Sequence, residues 1–313
     1  MAVYIVRRIF WAVFVIIGIG LVTFVLTALL PADPARVIAG PRASVDDVAR
    51  IRHQLGLDQP LLSQLGAYLA RALQGDLGHS FSQDRDVLPL LLSRFPATLQ
   101  LALAGLAVEL AIGLPLGVLA AVRRGSWFDR GATMTSIVFV AAPSFWVGLL
   151  LIHYLAFEPL ADAKIGIFPI SGYKPLDLRY LALPALTLGL AGAAYYVRIV
   201  RSMMLEEFHR DYVRTARAKG VGERSLRWHH AFRNALGPVL TQIGLDLGFF
   251  LGGVVVIEQI FSWPGIGKLA VDAIRTDDVP LIIGTVVFGT VVIVIANLVV
   301  DVLNAISDPR IRY

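Results

Sequence analysis

The sequence predicts an all-α polytopic membrane protein with six transmembrane helices and a small extracytoplasmic helical insertion, and three observations carry that prediction. Mean hydropathy is +0.70, with 57% hydrophobic and 16% charged residues, whereas soluble chains hold about 25% charged residues. Apolar runs of bilayer-crossing length, about 20 residues, fall at 9–30, 97–121, 134–156, 181–200, 238–261 and 281–304. Lys and Arg concentrate on alternate connections: Arg7 and Arg8, then Arg123, Arg124 and Arg130, then a dense group from Arg198 to Arg233, then Arg310 and Arg312. Cytoplasmic segments are the ones enriched in these residues, so both termini are expected inside. The net charge of +5 is modest, and no basic groove interleaved with aromatics is present, which argues against nucleic acid. Zero cysteines exclude disulfides and thiolate metal sites.

Residues 1–30 hold the N-terminus and the first span. The apolar run after Arg7 and Arg8 is longer than a signal-peptide core and has no small-x-small cleavage site before Pro31, so it is read as uncleaved. Residues 31–95, too polar for the bilayer, form the extracytoplasmic insertion. There Ser44 and Asp47 make a capping box, Val45, Val48, Ile51 and Leu55 recur at helical spacing, and Gly56 stands at the stop. A second helix is expected over 61–74, with Leu62, Leu65, Leu69 and Leu73 on one face and Gly75 at its end. Residues 96–313 make the core, spans two to six, with a cytoplasmic loop at 201–237. The outer connection 157–180, broken by Pro159, Pro169, Gly172 and Pro175, has no clear period.

Glu109, His153, Asp246 and Asp301 lie in or near the spans, where a charge at mid-depth costs about 2.5 to 3.5 kcal/mol. They read either as a proton or substrate pathway or as interhelical hydrogen bonds and interfacial positions. Pro115, Pro143, Pro184 and Pro238, with many span glycines, read either as kinks around a changing pathway or as tight packing. No phosphate-cradling, zinc-protease, hydrolase-elbow or kinase motif is present, so the chain is not expected to hydrolyse ATP itself.

The loop between spans four and five is the sharpest feature. Glu206, Glu207 and Asp211 precede Arg214, Arg217 and Lys219, the order a helix dipole favours, and Gly220 and Gly222 supply a stop. His209, His229 and His230 lack metal-ligand spacing. A short basic helix ending in glycine beneath the membrane either plugs into a cleft on another protein or lies on anionic lipid.

Within this loop, Asp211-Tyr212-Val213-Arg214-Thr215-Ala216-Arg217-Ala218-Lys219-Gly220 resembles the EAA-type cytoplasmic motif of bacterial ATP-binding-cassette importer permeases, in the form used by the B-type subunits of the dipeptide, oligopeptide and nickel branch. Arg233-Asn234-Ala235-Leu236 before Pro238 continues the match. So do Leu30-Pro31-Ala32-Asp33-Pro34-Ala35, Leu55 to Pro60, Gly75 to Gly78, Pro96 to Leu99, Pro143-Ser144-Phe145, Phe261 to Gly267 and Asp308 to Tyr313, in family order over nearly the whole chain. Arg214 replaces the acid of the general motif and Pro238 lies farther beyond Gly220, as is usual in the peptide branch. The resemblance implies a type I ABC importer permease fold in the bacterial inner membrane. It implies a second homologous permease subunit, two ABC ATPase subunits that bind the ATP, and an extracytoplasmic substrate-binding protein, with no cofactor on this chain. Residues 211–220 would form or adjoin the coupling helix on an ATPase. Di- or oligopeptides are the expected cargo, with nickel, glutathione or haem as alternatives on the same architecture. An ion-coupled secondary carrier using Glu109 and Asp246 is the rival of a different class.

Overall fold

The computed structural model describes residues 2–28, 34–39, 43–54, 56–157, 167–252 and 254–307. They are mostly helical, in two units: Met1–Thr98 with Pro264–Ile295, and Leu99–Trp263 with Ala296–Arg312.

The first unit holds α1 (Ala2–Ala28), α2 (Pro34–Ala39), α3 (Val45–Gln54), α4 (Leu61–Ala72), a two-stranded antiparallel hairpin of β1 (His79–Ser80) and β2 (Arg85–Asp86), and α13 (Ile266–Arg275). It also holds the first parts of α5 (Val87–Val122) and α14 (Val279–Ser307), which both continue into the second unit. Local signals read from the sequence set the ends of α3 and α4. At Ser44 the hydroxyl accepts from the Asp47 amide at 3.2 Å, and the Asp47 carboxylate accepts from the Ser44 amide at 3.4 Å. Gly56 and Gly75 end α3 and α4 with paired 5→2 and 6→1 backbone bonds. The apolar stripe expected on α4 is only half used: Tyr68 is buried and Leu65 and Leu69 are half-buried, while Leu62 and Leu73 are exposed.

The core of this unit packs Leu77, Val87, Leu90 and Leu91 against Ile266, Leu269, Ala273 and Leu281, each fully buried large side chain contributing about 1.5–3 kcal/mol. Asp278, 0% exposed, ties the hairpin to the start of α14. Its carboxylate accepts from the Ser80 hydroxyl at 2.7 Å, from the Ser82 amide at 2.9 Å and hydroxyl at 2.7 Å, and from the Leu281 amide at 3.3 Å. Thr98 accepts from the Ile266 amide at 2.9 Å, so one free amide at the start of α13 is satisfied from α5.

The second unit holds the rest of α5, then α6 (Trp127–Ala141), α7 (Ser144–Leu151), α8 (Leu178–Phe208), α9 (Asp211–Ala218), α10 (Glu223–Ser225), α11 (Arg233–Leu251), α12 (Val255–Ile260) and the end of α14. Two π-helical stretches, Ile152–Phe157 and Leu226–Phe232, follow α7 and α10. Small residues bring the helices together. A Cβ on Gly105, Gly113 or Gly117 of α5 would collide with Leu188, Tyr196 or Val200 of α8, and one on Gly189 would collide with Val108. Both numberings rise together, so α5 and α8 run parallel. Asp129 meets Arg201, and Gly148 meets Thr187, so the α6–α7 pair runs antiparallel to α8. On α11, Gly244 and Gly248 meet Val300 and Asn297, which makes α11 antiparallel to α14. At these glycines the structure resolves the choice toward close packing.

Three described helices are long and apolar enough to cross a bilayer: Val87–Val122, Leu178–Phe208 and, within α14, Val279–Val300. The first two hold the expected spans 97–121 and 181–200, and the third holds 281–300 of the expected span 281–304. The expected span 134–156 is two helices bent by 105°. The bend follows from Pro143, which holds Ala142 extended (φ −74, ψ 131) before α7 restarts. The expected span 238–261 divides after Gly252 into α11 and α12. Within the expected span 9–30, the described apolar helix is the shorter Phe10–Leu26. Pro184 and Pro238 lie inside α8 and α11 without ending them.

Candidate functional site

Within the second unit, the polar loop begins at the end of α8. What reads in sequence as one helix with acids first is two helices, because the chain turns at His209 and Arg210, the latter extended (φ −68, ψ 145) as the N-cap of α9. Glu206 and Glu207 therefore close α8, at the end where the dipole disfavours acids, and not a helix start as the sequence suggests. Arg210 compensates, 2.8 Å from Glu206 and 3.6 Å from Glu207. Only Asp211 occupies the first turn of α9, 3.6 Å from Arg214.

The end of α9 follows the sequence closely. The Gly220 amide bonds to the Arg217 carbonyl and the Val221 amide to the Ala216 carbonyl, with Gly220 at φ +78. This is the glycine-terminated helix end in which the αL residue turns the chain away. Gly222 is no second stop: it is the N-cap of α10.

A few contacts fix the loop to the bundle. Val213 is 0% exposed, and Leu226 and Ala231 are buried within the π-helical stretch Leu226–Phe232. The Tyr212 hydroxyl donates to Glu207 at 2.5 Å and accepts from the Asn234 amide nitrogen at 2.9 Å. One phenol thus joins the end of α8, the start of α9 and the start of α11. Burial, and then the Glu207 carboxylate, raise that phenol above its usual range. Arg217 lies 2.8 Å from Glu223 and holds its carboxyl below the usual range. Asp211, Arg214, Thr215, Arg217, Ala218, Lys219 and Gly220 are exposed, and Ala216 is half-buried. The result is a short basic helix gripped at its base by Tyr212 and Val213, with its other faces open. Its side-chain bonds tie it to the end of α8 and the start of α11.

The charges within the spans behave differently. Asp246 on α11 accepts from the Tyr196 hydroxyl of α8 and from Gln242, both at 2.7 Å. Glu109 on α5 is 2% exposed and packs where a Cβ on Gly192 would fall on its carboxylate. Its Oε2 has no hydrogen-bond partner among the described residues. The Tyr196–Asp246 bond across α8 and α11 is a pairing that nothing in the sequence spacing announces. His153 is exposed and stacks edge-on with Tyr154 at 4.9 Å. The Asp301 side chain lies outside the described residues. Among the described residues no group of three or more His, Cys, Asp or Glu side chains converges as metal ligands.

Apolar helices long enough to cross a bilayer, with a short polar helix tied by side chains to the ends of α8 and α11, define a multi-pass membrane protein. Comparison with known proteins makes the class specific. Residues 113–313 match the family described as binding-protein-dependent transport system inner membrane component, and residues 1–102 match the N-terminal family of the same systems. A peptide transport system permease protein of Brucella abortus (strain 2308) is 44% identical, over 100% of both chains. The oligopeptide transport system permease protein AppB of Bacillus subtilis (strain 168) is 40% identical over 100% of both, and the glutathione transport system permease protein GsiC of Escherichia coli (strain K12) is 38% identical over 99% of both. The structure of the MetNI methionine ABC transporter in inward-facing conformations matches with a TM-score of 0.51 at 18% identity, covering 70% of this chain and 96% of that one, a likeness of fold. The chain belongs to the inner-membrane permeases of binding-protein-dependent ABC importers, and is a transport subunit and not itself an enzyme.

Proposed function

We propose that this chain is one of two homologous permease subunits that together pass di- or oligopeptides across the bacterial inner membrane, threading it six times with both termini in the cytoplasm. ATP is bound and hydrolysed by two partner ATPase subunits, an extracytoplasmic binding protein delivers the cargo, and this chain holds no cofactor. Peptide cargo is supported by the names of the full-length relatives; glutathione, itself a small peptide, fits the same reading.

Residues 211–220 are the ATPase-coupling element. The observation that carries this is the geometry of α9: seven exposed positions beyond a base locked by Tyr212, Asn234 and Val213. When the ATPases close on ATP, α9 moves as a rigid lever and carries α8 and α11 with it, so the bundle alternates between outward and inward openings. ATP shifts the permease only by the difference in how the two states hold the ATPases.

Uptake by proteoliposomes containing the assembled complex tests the proposal. Peptide accumulation that requires ATP and the binding protein supports it. Accumulation driven by a proton gradient without the ATPases supports the ion-coupled carrier instead.

A further inference from the structure

One face of α8 is built unlike the rest of the bundle. Positions 191, 195, 198 and 202 follow one another at helical spacing, and the last three are Tyr195, Arg198 and Ser202, all exposed. They border a cavity of about 370 Å³, lined also by Thr133 of α6 and by Ile199 and Arg201. The opposite side of the same helix pair encloses a cavity of about 390 Å³ whose lining is almost wholly apolar. The polar lining is therefore confined to one side.

Charge is unevenly balanced there. Arg201 is neutralised by Asp129, with its Nε 2.5 Å from Oδ1 and its Nη2 2.9 Å from Oδ2. Arg198 has no acidic partner among the described residues. A guanidinium, a phenol and a hydroxyl in a row on a membrane-crossing helix are costly against lipid and usually face water or another polar partner. Exposed side chains nearby on α6, Met134, Ile137 and Val138, are apolar as lipid contact requires.

We infer that the Tyr195–Arg198–Ser202 face of α8, with Thr133 and Arg201, is part of the wall of the water-filled conduit, and that Arg198 meets the carboxylate of a passing peptide there. The inference rests on the peptide-import reading and deepens it. A guanidinium on a flexible stem suits a mobile carboxylate, and an open cavity keeps the contact weak enough for release. Two rivals place the same residues elsewhere: Arg198 reaching a lipid phosphate at the inner interface, or the face sealed against the second permease subunit.

The chain contains no cysteine, so single cysteines report cleanly in the assembled complex. Tyr195→Cys and Val138→Cys are each exposed to a cationic methanethiosulfonate in proteoliposomes. Labelling of Tyr195→Cys that is faster by about tenfold or more, changes with ATP and is slowed by trialanine is the expected result; a residue facing lipid or a sealed interface labels slowly in every state. Separately, Arg198→Gln should lower uptake of trialanine about tenfold and of its C-terminal amide less than about twofold, with Arg198→Lys close to wild type. Comparing each peptide with itself cancels any preference of the binding protein. If the wild type transports trialanine while Tyr195→Cys stays inert, or Arg198→Gln slows both peptides equally, the inference is overturned with peptide import intact. If the wild type moves no peptide at all, it is the import reading that fails.

Discussion

Replacing Gly220 isolates the mechanical claim, because the structure assigns the cost of substitution to a single cause. At φ +78, a Cβ on Gly220 would meet nothing within 4 Å, so no steric contact contributes. What remains is the penalty of placing a residue with a Cβ in the left-handed region, about 1–2 kcal/mol and greatest for β-branched side chains. That penalty works against the two terminal bonds from Gly220 to Arg217 and from Val221 to Ala216. A cost of this size lowers the population of the correctly ended helix about five- to thirtyfold relative to its frayed forms. Substrate-stimulated ATP hydrolysis by the reconstituted complex should therefore fall steeply in Gly220→Val. In Gly220→Asn it should stay within about twofold of wild type, since asparagine tolerates this conformation. Membrane yield and thermal unfolding of the isolated subunit should be the same for both, as the position is exposed. Equal, undiminished stimulation in Gly220→Val would refute the idea that the helix end transmits force.

Four further outcomes follow from the contacts described. Tyr212→Phe removes the link between Glu207 and Asn234, each bond worth about 0.5–1.5 kcal/mol or somewhat more to a charged group; basal ATP hydrolysis should persist while stimulation by cargo falls, and Asn234→Ala should add little in the double variant. Asp278→Ala strands the buried donors on Ser80 and Leu281 and removes two bonds from Ser82, and should destabilise the first unit by about 2–4 kcal/mol, read as a drop in unfolding temperature that Asp278→Asn reduces only in part. Gly192→Ala drives a methyl into the Glu109 carboxyl and should cost about 1–3 kcal/mol, with Glu109→Ala in the same chain restoring much of the loss. His79 donates toward Asp86 at 3.0 Å and Asp84 at 3.3 Å, and these bonds raise its pKa in the folded hairpin. The linked stability is full below the ordinary histidine value of about 6.5 and is lost as pH rises through the higher folded value. Protection factors over residues 79–86, that is, exchange rates corrected for their intrinsic rise with pH, should fall across that window in the wild type and not in His79→Gln.

The helix ends were the most legible part of the fold. Ser44 with Asp47, and the glycines at 56, 75 and 220, act through bonds to residues within five positions, so a local reading suffices. Span breaks were harder. Pro143 bends its helix pair while Pro184 and Pro238 do not end theirs, a difference that the residue type alone does not encode. Glu206 and Glu207 illustrate the same limit. Their order suits one helix, yet the chain turns at His209 and leaves them at the end of α8, where Arg210 restores the balance. For the candidate site, the sequence isolated the segment 211–220 but not what holds it. Asn234 lies 22 positions beyond Tyr212, and no periodicity relates them. Long-range polar contacts between Tyr196 and Asp246, or between Asp129 and Arg201, were likewise out of reach, although Asp246 itself stood out as a charge in apolar surroundings.

The most direct test is a disulfide trap at α9. With Arg214→Cys or Ala218→Cys introduced into this cysteine-free chain, and a cysteine in the facing cleft of the ATPase subunit, mild oxidation of the assembled complex should give a one-to-one adduct. Transport should stop on oxidation and return on reduction. A fully active complex in which neither position can be joined to the ATPase, while cysteines elsewhere on the chain can, contradicts the claim that this helix is where the motor takes hold.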